Sequence, residues 1–227
     1  RCGADAVKFQ LFDAALLKRP EIAHLQLSRE DMAGLKLYAD RQGIEFMCTP
    51  FDVGALEFLV GIGVKRLKIG SGSIHDLALM TAAHESGLSV IMSTGMSDYD
   101  GVAHALDILG DTGVTLLHCT SAYPCPLEDV NLLAMDALQR FLCPVGYSDH
   151  TKGILASIAA AARGATVIEK HLTLDCNAVG PDHASSIEPA SFGIMVSWVR
   201  NIEIMLGDGI KRVMPSEAEC VKIWRQS

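Results

Sequence analysis

Short apolar runs alternate with longer stretches of helical period along the whole chain. Seven such short runs of strand length fall at 6–11, 45–49, 66–71, 90–94, 115–120, 145–150 and 167–172. Apolar residues recur at helical spacing near 28–42, 53–62, 76–86, 98–111, 130–141, 154–163 and 189–206. A strand followed by a helix, repeated roughly every 25–30 residues, is the pattern of successive βα units on a parallel sheet. Gly43, Gly63, Gly87, Gly113 and Gly164 stand between a helix and the next strand, where a helix C-terminal cap belongs.

Seven units are one short of a closed eight-stranded barrel. The expected fold class is therefore α/β, a (β/α)8 TIM barrel lacking its first βα unit. Arg1-Cys2-Gly3-Ala4-Asp5 reads as a helix end running straight into a strand, which places the expected missing unit before residue 1. An open doubly wound sheet is the competing architecture, but neither of its usual phosphate loops, G-x-G-x-x-G or G-x-x-x-x-G-K-[ST], occurs. Residues 1–210 are read as the barrel, and the polar stretch 211–227, with Pro215-Ser216-Glu217, as a linker leaving it.

Composition narrows the function. A chain of 227 residues with 49% apolar residues can bury a substantial core. Its formal charge of −8 comes without any basic block, which argues against nucleic acid as a partner. The longest apolar stretches, such as 154–162, are too short to span a bilayer, and no signal pattern opens the chain, so no membrane partner is expected. Seven cysteines without a C-x-x-C pair fit a reduced compartment, and the expected location is the cytoplasm. An acidic protein still binds an anion where lysines and amides converge locally, because site potential and net charge differ.

In a barrel the C-terminal ends of the strands face the ligand, so polar residues late in each run are the candidates for chemistry. Lys8 and Gln10 share one face of the first run, and Thr49 ends the second. Lys68 and Gly70-Ser71-Gly72 close the third, Ser93-Thr94-Gly95 the fourth, and His118-Cys119-Thr120-Ser121 the fifth. Lys8, Thr49, Lys68, Ser71, Ser93 and Ser121 would form a rim of cations and hydroxyls suited to a phosphate. The last two runs end in Ser148-Asp149-His150 and Glu169-Lys170-His171, which places one imidazole at each of two neighbouring tips. Two imidazoles without a thiolate pair suit a catalytic Mn²⁺, Mg²⁺, Fe²⁺ or Zn²⁺ with open coordination positions. Glu169 shares the face of His171 and could orient it or coordinate through water. His183, in Gly180-Pro181-Asp182-His183, could be a ligand, a substrate contact or a turn residue.

Nine motifs in order carry a family resemblance. They are Val7-Lys8-Phe9-Gln10, Thr49-Pro50-Phe51-Asp52, Lys68-Ile69-Gly70-Ser71-Gly72, Ser93-Thr94-Gly95-Met96, Leu117-His118-Cys119-Thr120, Tyr123-Pro124, Ser148-Asp149-His150-Thr151, Glu169-Lys170-His171 and Gly180-Pro181-Asp182-His183. Together they resemble the N-acetylneuraminate (sialic acid) synthase family, with its legionaminic, pseudaminic and spore-coat-polysaccharide relatives, from residue 3 to about residue 225. The resemblance implies condensation of phosphoenolpyruvate with an N-acetylated, N-acetylmannosamine-like amino-sugar aldehyde, giving a sialic-type acid and phosphate. It implies that Lys8, Thr49, Lys68, Ser71, Ser93 and Ser148 hold phosphoenolpyruvate, with Ser121 where Asn is common in the family. His150 and His171 would hold the metal, Mn²⁺ before Mg²⁺, with Lys68 and Glu169 as further catalytic groups. Gln10, Tyr123 and Asp182 would face the sugar.

The resemblance also implies a homodimer, a first strand with a substrate-binding Glu, and a C-terminal antifreeze-like domain beyond the linker. Ser73 departs from the family, which carries Glu or Asp there. Two alternative functions follow. One is another phosphoenolpyruvate-condensing barrel, of the octulosonate phosphate synthase type. The other is a non-catalytic incomplete barrel that serves as a binding module. An incomplete barrel with unpaired edges is expected to self-associate.

Overall fold

The computed structural model describes residues 2–225; Arg1, Gln226 and Ser227, part of the terminal stretches read above, lie outside them. Seven parallel strands alternate with helices. The strands are β1 (Ala6–Leu11), β2 (Glu45–Pro50), β3 (Arg66–Ile69), β4 (Ser89–Ser93), β5 (Val114–His118), β6 (Val145–Asp149) and β7 (Ile168–Lys170). The helices are α1 (Arg29–Gln42), α2 (Val53–Gly61), α3 (Leu77–Glu85), α4 (Tyr99–Leu109), α5 (Ala134–Leu138), α6 (Leu155–Ala162), α7 (Pro189–Leu206) and α8 (Ala218–Trp224).

β1 pairs with β2, and β3 through β7 pair in sequence order. β2 lies beside β3, and Lys8 of β1 reaches Glu169 of β7, so the sheet curls until its first and last strands face one another across a common interior. Among the described residues β1 ladders only with β2, and β7 only with β6.

The period-two alternation of the strands separates two apolar regions. Outward residues such as Phe46, Leu67, Ile69, Val90, Met92, Leu116 and Tyr147 pack under the helices in the main core. Inward residues Met47, Ile91 and Leu117, with Ala6 and Val167 against them, form a smaller apolar floor inside the curl. One step further along the same inward faces come Lys8, Thr49, Lys68, Ser93, Ser148 and Glu169. Polar chemistry therefore sits directly above an apolar plug, as barrel geometry dictates.

Gly146 belongs to that floor, and a Cβ there would run into the Val167 carbonyl oxygen and lie 2.7 Å from Leu117 Cδ2. Backbone cannot yield as a flexible side chain can. Gly146→Ala is therefore expected to destabilise by about 2 kcal/mol or more, read as a lower urea midpoint at unchanged m.

The expected elements are all present, with shorter ends. β3, β5, β6 and β7 stop before their apolar runs do, which leaves Ser71, Thr120, His150 and His171 just past the strand tips. The helix expected at 130–141 starts late because Asn131 takes a left-handed backbone (φ 44°), and after α5 it tightens to a 3-10 turn over Gln139–Phe141 that Leu142 (φ 58°) ends. Gly113 is not the cap of α4; Gly110, with φ 58°, follows that helix instead, while Gly43, Gly63, Gly87 and Gly164 all adopt positive φ. The stretch expected as a linker carries the short helix α8.

Candidate functional site

The inward faces of β1, β3, β4, β6 and β7 bring an ionic cluster together at their C-terminal ends. Lys8 Nζ lies 3.1 Å from Glu169 Oε2, and Lys68 Nζ lies 3.9 Å from the same oxygen. Lys68 also donates to Ser93 Oγ at 2.7 Å and to the Ile69 carbonyl at 2.9 Å. Ser148 donates to Glu169 Oε1 at 2.8 Å. Burial alone would raise the Glu169 carboxyl, but Lys68 and Lys8, with the Ser148 hydrogen bond, hold it well below the usual carboxylate range. Two ammoniums against one carboxylate leave the cluster one positive unit in excess, so the cradle attracts an anion although the whole chain is acidic.

A second group of donors lies beside it. The Gly95 amide donates to Ser71 Oγ at 3.0 Å, and Ser71 Oγ contacts Cys119 Sγ at 3.2 Å. Ser121 Oγ is buried and finds no hydrogen-bond partner among the described residues. A Cβ at Gly95 would crowd Ser121 Oγ, Ser71 Oγ and Cys119 Sγ, so glycine keeps the space between these groups open. Thr49 is buried against Gly70, at the adjoining tip, and its register partner on β1 is Gln10.

The two imidazoles occupy the other side of the mouth, with ring centroids 5.5 Å apart. His150 Nδ1 lies 2.8 Å from the Thr120 carbonyl, and only a donor can bond there, so Nε2 carries the lone pair. Burial lowers the His150 pKa and, with Lys8 adding to burial, takes that of His171 to about 4. Both rings are therefore neutral near pH 7, the state a metal requires of its ligands. Tyr123 covers His150 at a ring-centroid distance of 4.3 Å, and burial pushes its phenol up to about 12.

Asp182 Oδ2 lies 3.6 Å from His171 Nδ1. The carboxylate within ion-pair reach of His171 is thus Asp182, whereas Glu169 is engaged by two lysines and a serine. His183 bonds Thr173 Oγ1 at 2.7 Å and packs under Gly180, the turn role among the three considered for it. Among the described residues no three His, Cys, Asp or Glu side chains converge on one point as a ligand set. A two-imidazole site fits the donors present. It would leave its remaining positions to water and substrate, as catalytic sites do.

Sequence reasoning assigned no role to Cys119, to the Thr120 carbonyl or to Gly95. All three left the same signal, a place in the motifs Ser93-Thr94-Gly95-Met96 and Leu117-His118-Cys119-Thr120. Nor did it single out the Asp149–Lys170 ion pair between the two imidazole-bearing strands.

The cluster makes anion binding pH-dependent. Burial lowers Lys68 to about 8, partly opposed by Glu169. A bound anion favours the ammonium, so affinity is full below that pKa and falls as pH rises through it. Sulfate keeps its charge over this range, and its affinity is expected to drop by up to tenfold per unit above pH 8. A flat profile to pH 10 by titration calorimetry would remove Lys68 from the anion site.

Comparison with known proteins gives the family and the fold. The family model described as NeuB family matches residues 1–211. An uncharacterized protein of Methanocaldococcus jannaschii is 45% identical, over all of this chain and 70% of its own length. An N,N'-diacetyllegionaminic acid synthase of Campylobacter jejuni is 39% identical, over 99% of this chain and 75% of its own. Among solved structures, the N-acetylneuraminic acid (sialic acid) synthetase of Leptospira borgpetersenii, in complex with citrate, superimposes with a TM-score of 0.90 at 34% identity. It covers 100% of this chain and 84% of that one. A truncated 3-deoxy-D-arabino-heptulosonate 7-phosphate synthase of Thermotoga maritima, at 17% identity and TM-score 0.70, shares the fold.

Proposed function

This chain belongs to the NeuB family, and from that premise we propose that it condenses phosphoenolpyruvate with an N-acetylated amino-sugar aldehyde to a sialic-type acid and phosphate. The observation that carries the proposal is the convergence of Lys8, Lys68 and Glu169 with His150 and His171 at one mouth. Phosphoenolpyruvate carries negative charge at both ends of a small molecule. Lys8 and Lys68 offer it charge-assisted hydrogen bonds, and Ser71, Ser93, Ser121, Ser148 and Thr49 supply neutral donors around them.

With the anion so held, the methylene carbon of phosphoenolpyruvate is placed to attack the aldehyde carbon of the sugar. The new C–C bond forms with the enol electron pair as the aldehyde π pair moves onto its oxygen; water adds to the adjoining carbon and gives that oxygen a proton, and the C–O bond to the bridging oxygen then breaks, phosphate leaving with that oxygen and the second proton as the keto group forms. His150 and His171 would hold a divalent metal, Mn²⁺ before Mg²⁺, which supplies Lewis acidity toward the aldehyde oxygen when bound. Tyr123 remains a phenol throughout, and with Gln10 and Asp182 it would offer hydrogen bonds to the sugar. Exposed apolar side chains on α7, Ile194, Trp198 and Ile204, support a homodimer as part of the same reading.

The test is phosphate release from phosphoenolpyruvate and N-acetylmannosamine with Mn²⁺, run beside direct measurement of phosphoenolpyruvate binding. Release that needs both substrates and metal is the expected result. Ser73, buried where the family carries an acid, gives a binding-only reading its specific support. Binding without release across several N-acetylated amino sugars would establish that reading instead.

A further inference from the structure

We propose that the buried Asp149–Lys170 ion pair positions the two imidazoles, holding the tip of β7 at a set distance from that of β6. The inference rests on the reading that His150 and His171 act together. Alternation turns Ser148, His150, Glu169 and His171 toward the interior, and therefore turns Asp149 and Lys170 outward, beneath α6. The two residues are register partners on adjacent strands. Lys170 Nζ lies 3.3 Å from Asp149 Oδ1, with both side chains fully buried.

Every polar atom of the pair that the geometry defines is used. Asp149 Oδ1 accepts from Thr151 N and Thr151 Oγ1, each at 2.8 Å, and Oδ2 accepts from Ser157 Oγ of α6 at 2.6 Å. Lys170 Nζ also donates to the Thr151 carbonyl, one residue beyond His150. The ammonium therefore ties β7 to the backbone that carries the first imidazole, from the residue adjoining the second.

Two physical points favour positioning over stability as the reason for this pair. Burying two charges costs several kcal/mol each, and an apolar pair of similar volume is often as stable or more so, whereas a fully bonded network specifies geometry. β7 is also only three residues long and, of the named strands, ladders with β6 alone; past its end the tips bond to other segments, the His150 carbonyl accepting from Cys125 N at 2.8 Å and the His171 carbonyl from Ile187 N at 3.0 Å. A side-chain clamp supplies what so short a ladder cannot. The two ionic layers are back to back, with Ser148–Glu169 pinned on the inner face and Asp149–Lys170 on the outer.

Lys170→Met removes the ammonium at similar volume and should be studied in the whole protein by two measurements. Histidine-ring ¹⁵N spectra of the metal-free protein are expected to show one fixed tautomer for each of His150 and His171 in the wild type, and broadened or doubled ring signals in the variant. Mn²⁺ affinity is expected to fall about tenfold to a hundredfold, the usual effect of losing a group that orients a metal ligand. Sulfate affinity, set by Lys8 and Lys68, should stay within about threefold. A folded variant with unchanged ring spectra and unchanged Mn²⁺ affinity would overturn the proposal. Should Lys170→Met fail to fold, Ser157→Ala keeps both charges and removes one bond to Asp149. At least a threefold loss of Mn²⁺ affinity is expected of it, and no loss again overturns the proposal. If the wild type binds no Mn²⁺, the metal reading fails by itself, and the ring spectra still decide the clamp.

Discussion

Alanine in place of His150 is expected to cut metal-dependent phosphate release by roughly 10³-fold while phosphoenolpyruvate binding stays within about threefold. The split follows from geometry. The anion cradle is built from Lys8, Lys68, Ser71, Ser93 and Ser148, and His150 touches it only through a 3.4 Å contact with Ser148. What His150 contributes is a neutral, buried imidazole whose Nδ1 is held by the Thr120 carbonyl and whose Nε2 lone pair faces the mouth 3.4 Å from Ser148 Oγ. Its loss leaves His171 as one imidazole where two stood 5.5 Å apart. Lewis-acid stabilisation of developing charge amounts to several kcal/mol, and about 4 kcal/mol corresponds to the expected factor. Phosphate release at saturating Mn²⁺, with phosphoenolpyruvate affinity from calorimetry, reads both halves. Unchanged release in the variant rules out the role assigned to this ring.

Glu169→Gln is expected to move stability and anion affinity in opposite directions. In the ligand-free protein Glu169 is the anion that Lys8 and Lys68 share. Its neutralisation leaves two nearby ammoniums, one of them almost fully buried, without a counter-charge. Losing one partner of a buried pair costs about 3 kcal/mol or more, so a fall of that order in the free energy of unfolding is expected. The same change removes a negative charge from beside the anion site. At about 5 Å and an effective dielectric near 20, the relieved repulsion is on the order of 3 kcal/mol before relaxation. Phosphoenolpyruvate and sulfate should therefore bind about tenfold more tightly or better, and millimolar sulfate should restore much of the lost stability by mass action. Weaker anion binding by the variant would mean that Glu169 organises the lysines rather than competing with the ligand for them.

These two variants probe different halves of one mouth, and the halves are joined by Ser148, which bonds Glu169 and contacts His150. Ser148→Ala is a poor first experiment for that reason, since it disturbs both. The outward Asp149–Lys170 pair offers a cleaner handle on the imidazoles, because it touches neither substrate nor cradle.

The strand-by-strand part of this protein was legible in the amino-acid sequence. Side chains two apart on a strand share a face, so the sequence alone assigns Lys8 with Gln10, Ser148 with His150 and Glu169 with His171 to one interior. The order of nine short motifs was enough to name the family, because seven of them lie on or end successive strands and the other two fall in the loops after β5 and β7. The same period-two rule implied that Asp149 and Lys170 face the other way, although nothing in the sequence said that they meet.

Which atoms meet across strands was decided only by the tertiary structure. Ladder register and the curl of the sheet brought Glu169 between two lysines from β1 and β3, so that it pairs with them rather than with the neighbouring imidazole. Loop closure brought Asp182 to His171 and turned His183 away to Thr173. Gly95 shows the same limit, since its missing side chain matters only because Ser71 arrives around it from the end of β3 and Cys119 and Ser121 from the end of β5. Local periodicity fixes the face a residue looks toward, whereas its partner depends on packing between segments far apart in the chain.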